Sequence, residues 1–345
     1  MQKHSLLEKS RLYCSVQTYK DELFFSLVDY RNSRFTSDNP DKIIEFCNSF
    51  KDRNNLIEWM KERPKGVANI HEVDGDKGIV VVIPTADFNG KYAKECRENI
   101  FRGLHMVFVE SGGRGDFYFN YAHNCNVGIR KAMEYNPKWC IISNDDAETF
   151  YRPADLVEEL SRVDNNKIKI VFTKHGKQTS SSTSVHELNL LGLLLFSFFS
   201  LTRFHKVLSK KYREHIFSFI LNMKFKNRYF IFHDGEGVLN YLYKKIYSYY
   251  DFEAFGIFSA KIIDRNRGIF DEAYISAGED QDLSITLSRE PENVTWISYT
   301  INGIGTASLA HGLQGVIRTV VGQSYLNHKI ESGLLNIKKT FRVNP

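Results

Sequence analysis

The chain is predicted to be an α/β protein built on a doubly wound sheet. Ile79-Val80-Val81-Val82-Ile83 is an unbroken β-branched run that stops at Pro84-Thr85. Leu104 to Val109 and Trp139 to Ser143 repeat that form, with helical stretches between them. Strands covered on both faces read as continuous apolar runs, and strand alternating with helix gives a mixed, mostly parallel sheet flanked by helices. Polar residues gather after each run: Glu110-Ser111-Gly112-Gly113 after the second and Asn144-Asp145-Asp146 after the third. Open sheets of this kind bind ligands just beyond the carboxyl ends of their strands. Ile168 to Phe172 reads as a fourth strand.

Around that sheet the chain divides by composition. Residues 1–75 are polar and read as a helical N-terminal extension without a catalytic grouping. Asn39-Pro40-Asp41 starts one helix, since proline suits the first turn and an acid there complements the dipole. Ile43, Ile44, Phe46, Cys47 and Phe50 continue its apolar face, and Leu56, Trp59 and Met60 mark a second helix ended by Pro64-Lys65-Gly66. Residues 76–330 form the main domain and 331–345 a C-terminal tail.

Residues 174–253 interrupt the main domain and read as a helical insertion, both basic and apolar. Thr179 to Ser184 reads as loop. Leu188 to Leu201 is almost wholly apolar but too short for a bilayer crossing, which takes roughly 20 residues. From Arg203 to Arg228, eight Lys or Arg residues face Glu214 alone, with Phe204, Ile216, Phe217 and Phe219 among them. Such a segment suits peripheral contact with an anionic membrane, and equally a homodimer interface or a helical lid.

Composition excludes several classes. With 345 residues, 42% hydrophobic and 25% charged, the chain is globular and long enough for one large core or two moderate ones. A net charge of +5 is too mild for a dedicated nucleic-acid binder, so no nucleic-acid partner is expected. Five cysteines without a C-x-x-C pair argue against a disulfide framework or zinc module and for a reducing compartment. No apolar h-region follows Met1, so the expected location is the cytoplasm, with the inner face of the cell membrane as its variant.

Two acidic groups carry the chemistry. Asn144-Asp145-Asp146 closes a buried strand. Adjacent carboxylates at that place suit Mg²⁺ or Mn²⁺ on a diphosphate, because Mg²⁺ takes one or two carboxylates and completes its shell with phosphate oxygen and water. The same tripeptide also suits a turn and helix cap. Glu279-Asp280-Gln281-Asp282 opens a later helix. Acids there favour the dipole, and one of them can serve as general base toward an acceptor hydroxyl. Together the two groups fit a metal-assisted group transfer with divided roles.

These blocks resemble the glycosyltransferases of GT-A (Rossmann-like) fold, specifically glycosyltransferase family 2 and its rhamnosyltransferase-like members, over roughly residues 78–330. Val81-Val82-Ile83-Pro84-Thr85 is similar to the family's first strand, and Val109-Glu110-Ser111-Gly112-Gly113 to its V-D-N-G-S strand end. Asn120 to Arg130, with Ala132, resembles the segment ending N-x-G-I-x-x-A. Asn144-Asp145-Asp146 fills the DXD position, and Phe270-Asp271-Glu272 with Glu279 to Leu283 matches F-D-E…E-D-x-D-L.

The resemblance implies a metal-dependent inverting enzyme of hexosyltransferase type, moving sugar from a nucleotide-diphosphate donor to a glycan or lipid-linked acceptor. It implies that Pro84, Thr85, Glu110, Gly112, Asn126 and Asp145 contact the donor. It also implies that Asp146 and His311 hold Mn²⁺ or Mg²⁺, that Asp280 is the base, and that Glu279 orients hydroxyls. Departures are Asn144 at the first DXD position, Glu110 in place of Asp, and Thr286 where an Arg is common. Two other readings compete. One is another sugar-nucleotide-processing enzyme, although Glu110 to Gly115 lacks the Lys of a P-loop. The other is a non-catalytic membrane-associated scaffold of the same fold.

Overall fold

The computed structural model describes residues 30–37, 39–112, 116–173, 181–189, 192, 194, 218, 221–233, 243–252, 255–303 and 312–337. Residues 30–35 are helical, and helices α1 (Pro40–Asn48) and α2 (Arg53–Glu62) follow. Their caps, Asn39 and Asp52, accept from the amides of Asp41 and Asn55. Strand β1 (Asn69–Val73), strand β2 (Asp76–Thr85), helix α3 (Lys91–Glu95) and strand β3 (Leu104–Glu110) follow. Next come helix α4 (Tyr121–Ala132), strand β4 (Trp139–Ser143), the short β5 (Ala147–Glu148), helix α5 (Pro153–Ser161) and strand β6 (Ile170–Thr173). Strands β7 (Ser181–Leu188), β8 (Tyr229–His233), β9 (Tyr243–Asp251) and β10 (Phe255–Ser259) lead to helix α6 (Glu279–Leu287). Strand β11 (Val294–Ile297), strand β12 (Asn302–Gly303) and helix α7 (Gly312–Glu331) complete the order.

The main sheet has seven strands in the order β1-β3-β2-β4-β10-β6-β11. Strand β2 lies parallel to both β3 and β4, and β6 parallel to β11. Strands β1 and β10 run against their neighbours. The fold is therefore mixed α/β with a mixed sheet, as expected, while the expectation that most pairings are parallel is corrected: among the described residues the main sheet has three parallel and three antiparallel pairings. Counting the small sheets, antiparallel pairings among the described residues outnumber parallel ones. A run buried on both faces, such as Phe255–Ser259, looks alike from either end, so its apolar character does not record its direction.

Two further expectations change. Residues 69–73 belong to the sheet, not to a helical extension, and β1 is a short polar edge strand with little periodicity to show. The insertion expected to be helical contributes a three-stranded antiparallel sheet, β8-β7-β9, that includes residues 181–184 of the supposed loop. The β-branched Thr183 and Val185 pair there with Tyr249 and Tyr247, aromatic partners that favour a strand. Most of 188–228, and with it the membrane or dimer segment, lies outside the described residues. Among the described residues no helix is long and apolar enough to cross a membrane.

Both faces of the main sheet are covered. On one side Val81 and Ile83 pack with Ala93, Cys96, Leu156 and Leu160. On the other Val80 and Val82 pack with Ala122, Cys125 and Ile129 of α4 and with Leu283 of α6. A third core joins α1, α2, α7 and the small sheet through Phe46, Trp59, Tyr247 and Leu326. Helix α4 comes unusually near the strands at Gly128, where an added Cβ would stand 2.4 Å from Val82 Cγ1 and 2.7 Å from Val109 Cγ2. Gly128→Ala is therefore expected to cost about 1–3 kcal/mol by overpacking. Urea unfolding checks this: the midpoint should fall with an unchanged slope.

Candidate active site

The parallel arrangement β3-β2-β4 brings Glu110, Thr85 and the Asn144–Asp146 turn to one edge of the sheet. Thr85 and Glu110 are register partners, and Pro84 lies buried one residue before the edge. The Thr85 hydroxyl donates to Asp145 Oδ2 at 2.7 Å. Glu110 accepts from the Phe88 amide at 3.2 Å, and its other oxygen pairs with His71 Nε2 at 2.7 Å. The His71 ring stacks on Phe88, centroids 4.4 Å apart. Gly112 is exposed just beyond Glu110.

Asp146 is buried. Burial raises the Asp145 carboxyl above its ordinary value and the neighbouring Asp146 charge raises it further, against the Thr85 hydrogen bond. Two carboxylates pressed together in this way suit a divalent cation, although among the described residues no group of three or more His, Cys, Asp or Glu side chains is arranged to hold a metal ion. His311 lies outside the described residues. Among the described residues, Gly303 of β12 pairs with Ala147, directly after Asp146.

The segment that precedes the second acidic group is held by α4. Asn120 caps α4 by accepting from the His123 amide at 2.8 Å, and its Nδ2 donates to the Glu272 carbonyl at 2.9 Å. The Tyr121 amide donates to the Ile275 carbonyl at 2.8 Å. Asn126 is fully buried, and its Oδ1 accepts from the amides of Ile269 and Phe270, both at 3.0 Å. Its Nδ2 donates to the Phe270 carbonyl at 2.9 Å and to Glu272 at 3.1 Å. The amide thought to contact the donor is thus committed to the 269–272 segment.

Burial pushes the Glu272 carboxyl up, but hydrogen bonds from His123 and Asn126 outweigh it and hold it at about 2. That segment leads through Gly278, whose φ of +98° is the left-handed conformation glycine tolerates, into Glu279 at the start of α6.

The Tyr121 side chain joins the two groups. Its hydroxyl donates to Asn144 Oδ1 at 2.8 Å. Burial lifts its pKa well above the ordinary tyrosine value, and Cys125, Glu279 and Asp280 lift it further. One phenol therefore touches the Asn-Asp-Asp turn and feels the charges of the acidic helix. Asp280 is half-buried and accepts from the Gln281 amide at 2.8 Å.

A scan against protein-family models and a search of curated proteins each return no match.

Residues that the sequence reading passed over hold this arrangement. Arg63 is buried and donates to the carbonyls of Phe117, Tyr118 and Phe119 at 2.8, 3.2 and 2.9 Å, fixing the approach to α4. Lys65 Nζ donates to the Glu272 carbonyl at 2.8 Å. On α7, Lys329 pairs with Asp271 at 3.0 Å and with Asp282, and Tyr325 donates to Asp271 at 2.9 Å. Arg63 and Lys65 flank Pro64 in the segment read only as a helix stop, and Lys329 follows the last recognised block, so their charge was the available signal.

Asn126→Ala should leave the buried Phe270 amide and the part-buried Ile269 amide without their partner. The expected loss is about 2–6 kcal/mol, from about one to three for each unmet group. Chemical denaturation measures it, and a loss below about 0.5 kcal/mol would contradict the clamp.

Proposed function

We propose that the chain is an inverting glycosyltransferase of GT-A architecture that uses a nucleoside-diphosphate sugar. The observation that carries this reading is the convergence at Tyr121 of the Asn144–Asp146 turn and the Glu279-Asp280 helix start. Such a meeting supplies both halves of a sugar transfer: carboxylates for a metal on the diphosphate, and a base for the incoming hydroxyl. The five co-directional strands β3, β2, β4, β6 and β11 support the architecture.

In this reading the nucleotide lies over the edge formed by Pro84, Thr85, Glu110 and Gly112, with Glu110 steadied by His71 and the Phe88 amide. Asp146, with Asp145 beside it, would hold Mn²⁺ or Mg²⁺, which supplies positive charge to the diphosphate. Asp280 takes the proton of the acceptor hydroxyl as its oxygen bonds to the anomeric carbon. The bond from that carbon to the diphosphate oxygen breaks on the opposite face, the nucleoside diphosphate leaves, and the configuration inverts. Asn126 acts by fixing 269–272 and not by touching the donor. A glycan or lipid-linked acceptor, a cytoplasmic location and peripheral membrane contact through 188–228 belong to the same proposal.

Paired variants test the division of labour. Asp280→Asn is expected to lower turnover by about 10²–10⁴-fold with donor affinity preserved. Asp146→Ala should abolish Mn²⁺-dependent donor binding in calorimetry. Undiminished turnover in the first, or a product of retained configuration by proton NMR, would contradict the reading.

A further inference from the structure

Glu279 opens α6 and is 6% exposed. Its Oε2 is buried with no hydrogen-bond partner among the described residues. The groups that face it are the Tyr121 hydroxyl and the Cys125 thiol from α4, and Asp280 on its own helix. None of these brings positive charge. Among the described residues, Lys329 is taken up by Asp271 and Asp282. The Glu279 backbone amide and the positive end of α6 favour the anion. Loss of water and the adjacent Asp280 charge work against it and prevail, raising its pKa.

We propose that Glu279 stands in the site as a neutral carboxylic acid and donates a hydrogen bond to a hydroxyl oxygen of the carbohydrate acceptor, while the half-buried Asp280 is the partner that accepts. The two neighbours thereby divide into a donor and a base, set apart by burial. This rests on the sugar-transfer reading for the identity of the ligand. The protonation itself does not. An orphaned buried oxygen beside an acid's own proton is a ready site for a sugar hydroxyl, which both accepts and donates.

The first arm of the test needs no turnover. A carboxyl raised in the folded state keeps a proton that the unfolded chain releases, so stability falls as pH climbs from the ordinary carboxylate range toward the raised value. Glu279→Gln cannot titrate, and its melting temperature relative to the unaltered chain should rise steadily from about pH 5 to about pH 8. A difference that stays flat or declines over that range overturns the proposal.

The second arm reads the pH profile of kcat/KM. Glu279→Gln, a permanent donor, should lose the alkaline limb, whereas Glu279→Ala should fall about tenfold at pH values below the limb, the worth of one hydrogen bond, with the gap closing as the unaltered chain loses its proton. An unchanged alkaline limb in the Gln variant contradicts the donor role. If the unaltered chain transfers no sugar from any nucleotide donor, the named ligand falls, while the melting curves still decide the proton.

Discussion

Everything at the candidate site hangs on the grip of α4 on the segment that precedes α6. Asn120, Tyr121, His123 and Asn126 lie within two turns of one helix and hold residues 269–275 by backbone and side chain. The helix itself is fixed to the sheet by the close approach at Gly128. Because β3 ends where α4's approach begins, the same helix that clamps the acidic segment also sets its distance from the strand ends. Position is thus transmitted from sheet to helix to loop through buried hydrogen bonds, which are costly to leave unmade.

Electrostatics follows from that geometry. The carboxylates of the motif fall into different surroundings although they are close in sequence. Glu272 and Asp271 are held low by hydrogen bonds and by the charges of His123, Arg130 and Lys329, which outweigh their burial. Glu279 and Asp282 are pushed up, chiefly by burial. The residues held low are structural anchors. Glu279 lies within the electrostatic reach of Tyr121, where the proposed chemistry takes place, whereas Asp282 turns to Lys329 of α7. The N-terminal helices contribute at a distance: α1 and α2 share a core with α7, and α7 delivers Lys329 to Asp271 and Asp282.

Much of this was legible in the sequence. The runs at 79–83, 104–109 and 139–143 became strands of the main sheet, and Asn39, Pro64 and Glu279 marked helix boundaries close to those observed. Those signals are local: periodicity, caps and breakers. Direction was not legible, since Phe255–Ser259 is apolar on both faces and its reversal is set by the chain's route through β7–β9. The small sheet was missed because its serines read as loop, while cross-strand tyrosines 60 or more residues away make them strand. At the site, the acidic motifs were visible as patterns. Arg63, Tyr121 and Lys329 were not, because their roles arise from contacts with backbone and carboxylates distant in sequence.

The most direct test of the account is a crystal structure of the chain grown with Mn²⁺ and an unhydrolysable nucleoside-diphosphate sugar. The account predicts the diphosphate against Asp146, the nucleoside over Thr85 and Glu110, and the anomeric carbon open toward Asp280 beside Tyr121. A nucleotide bound at another edge, or a diphosphate with no contact to the Asn144–Asp146 turn, would contradict it.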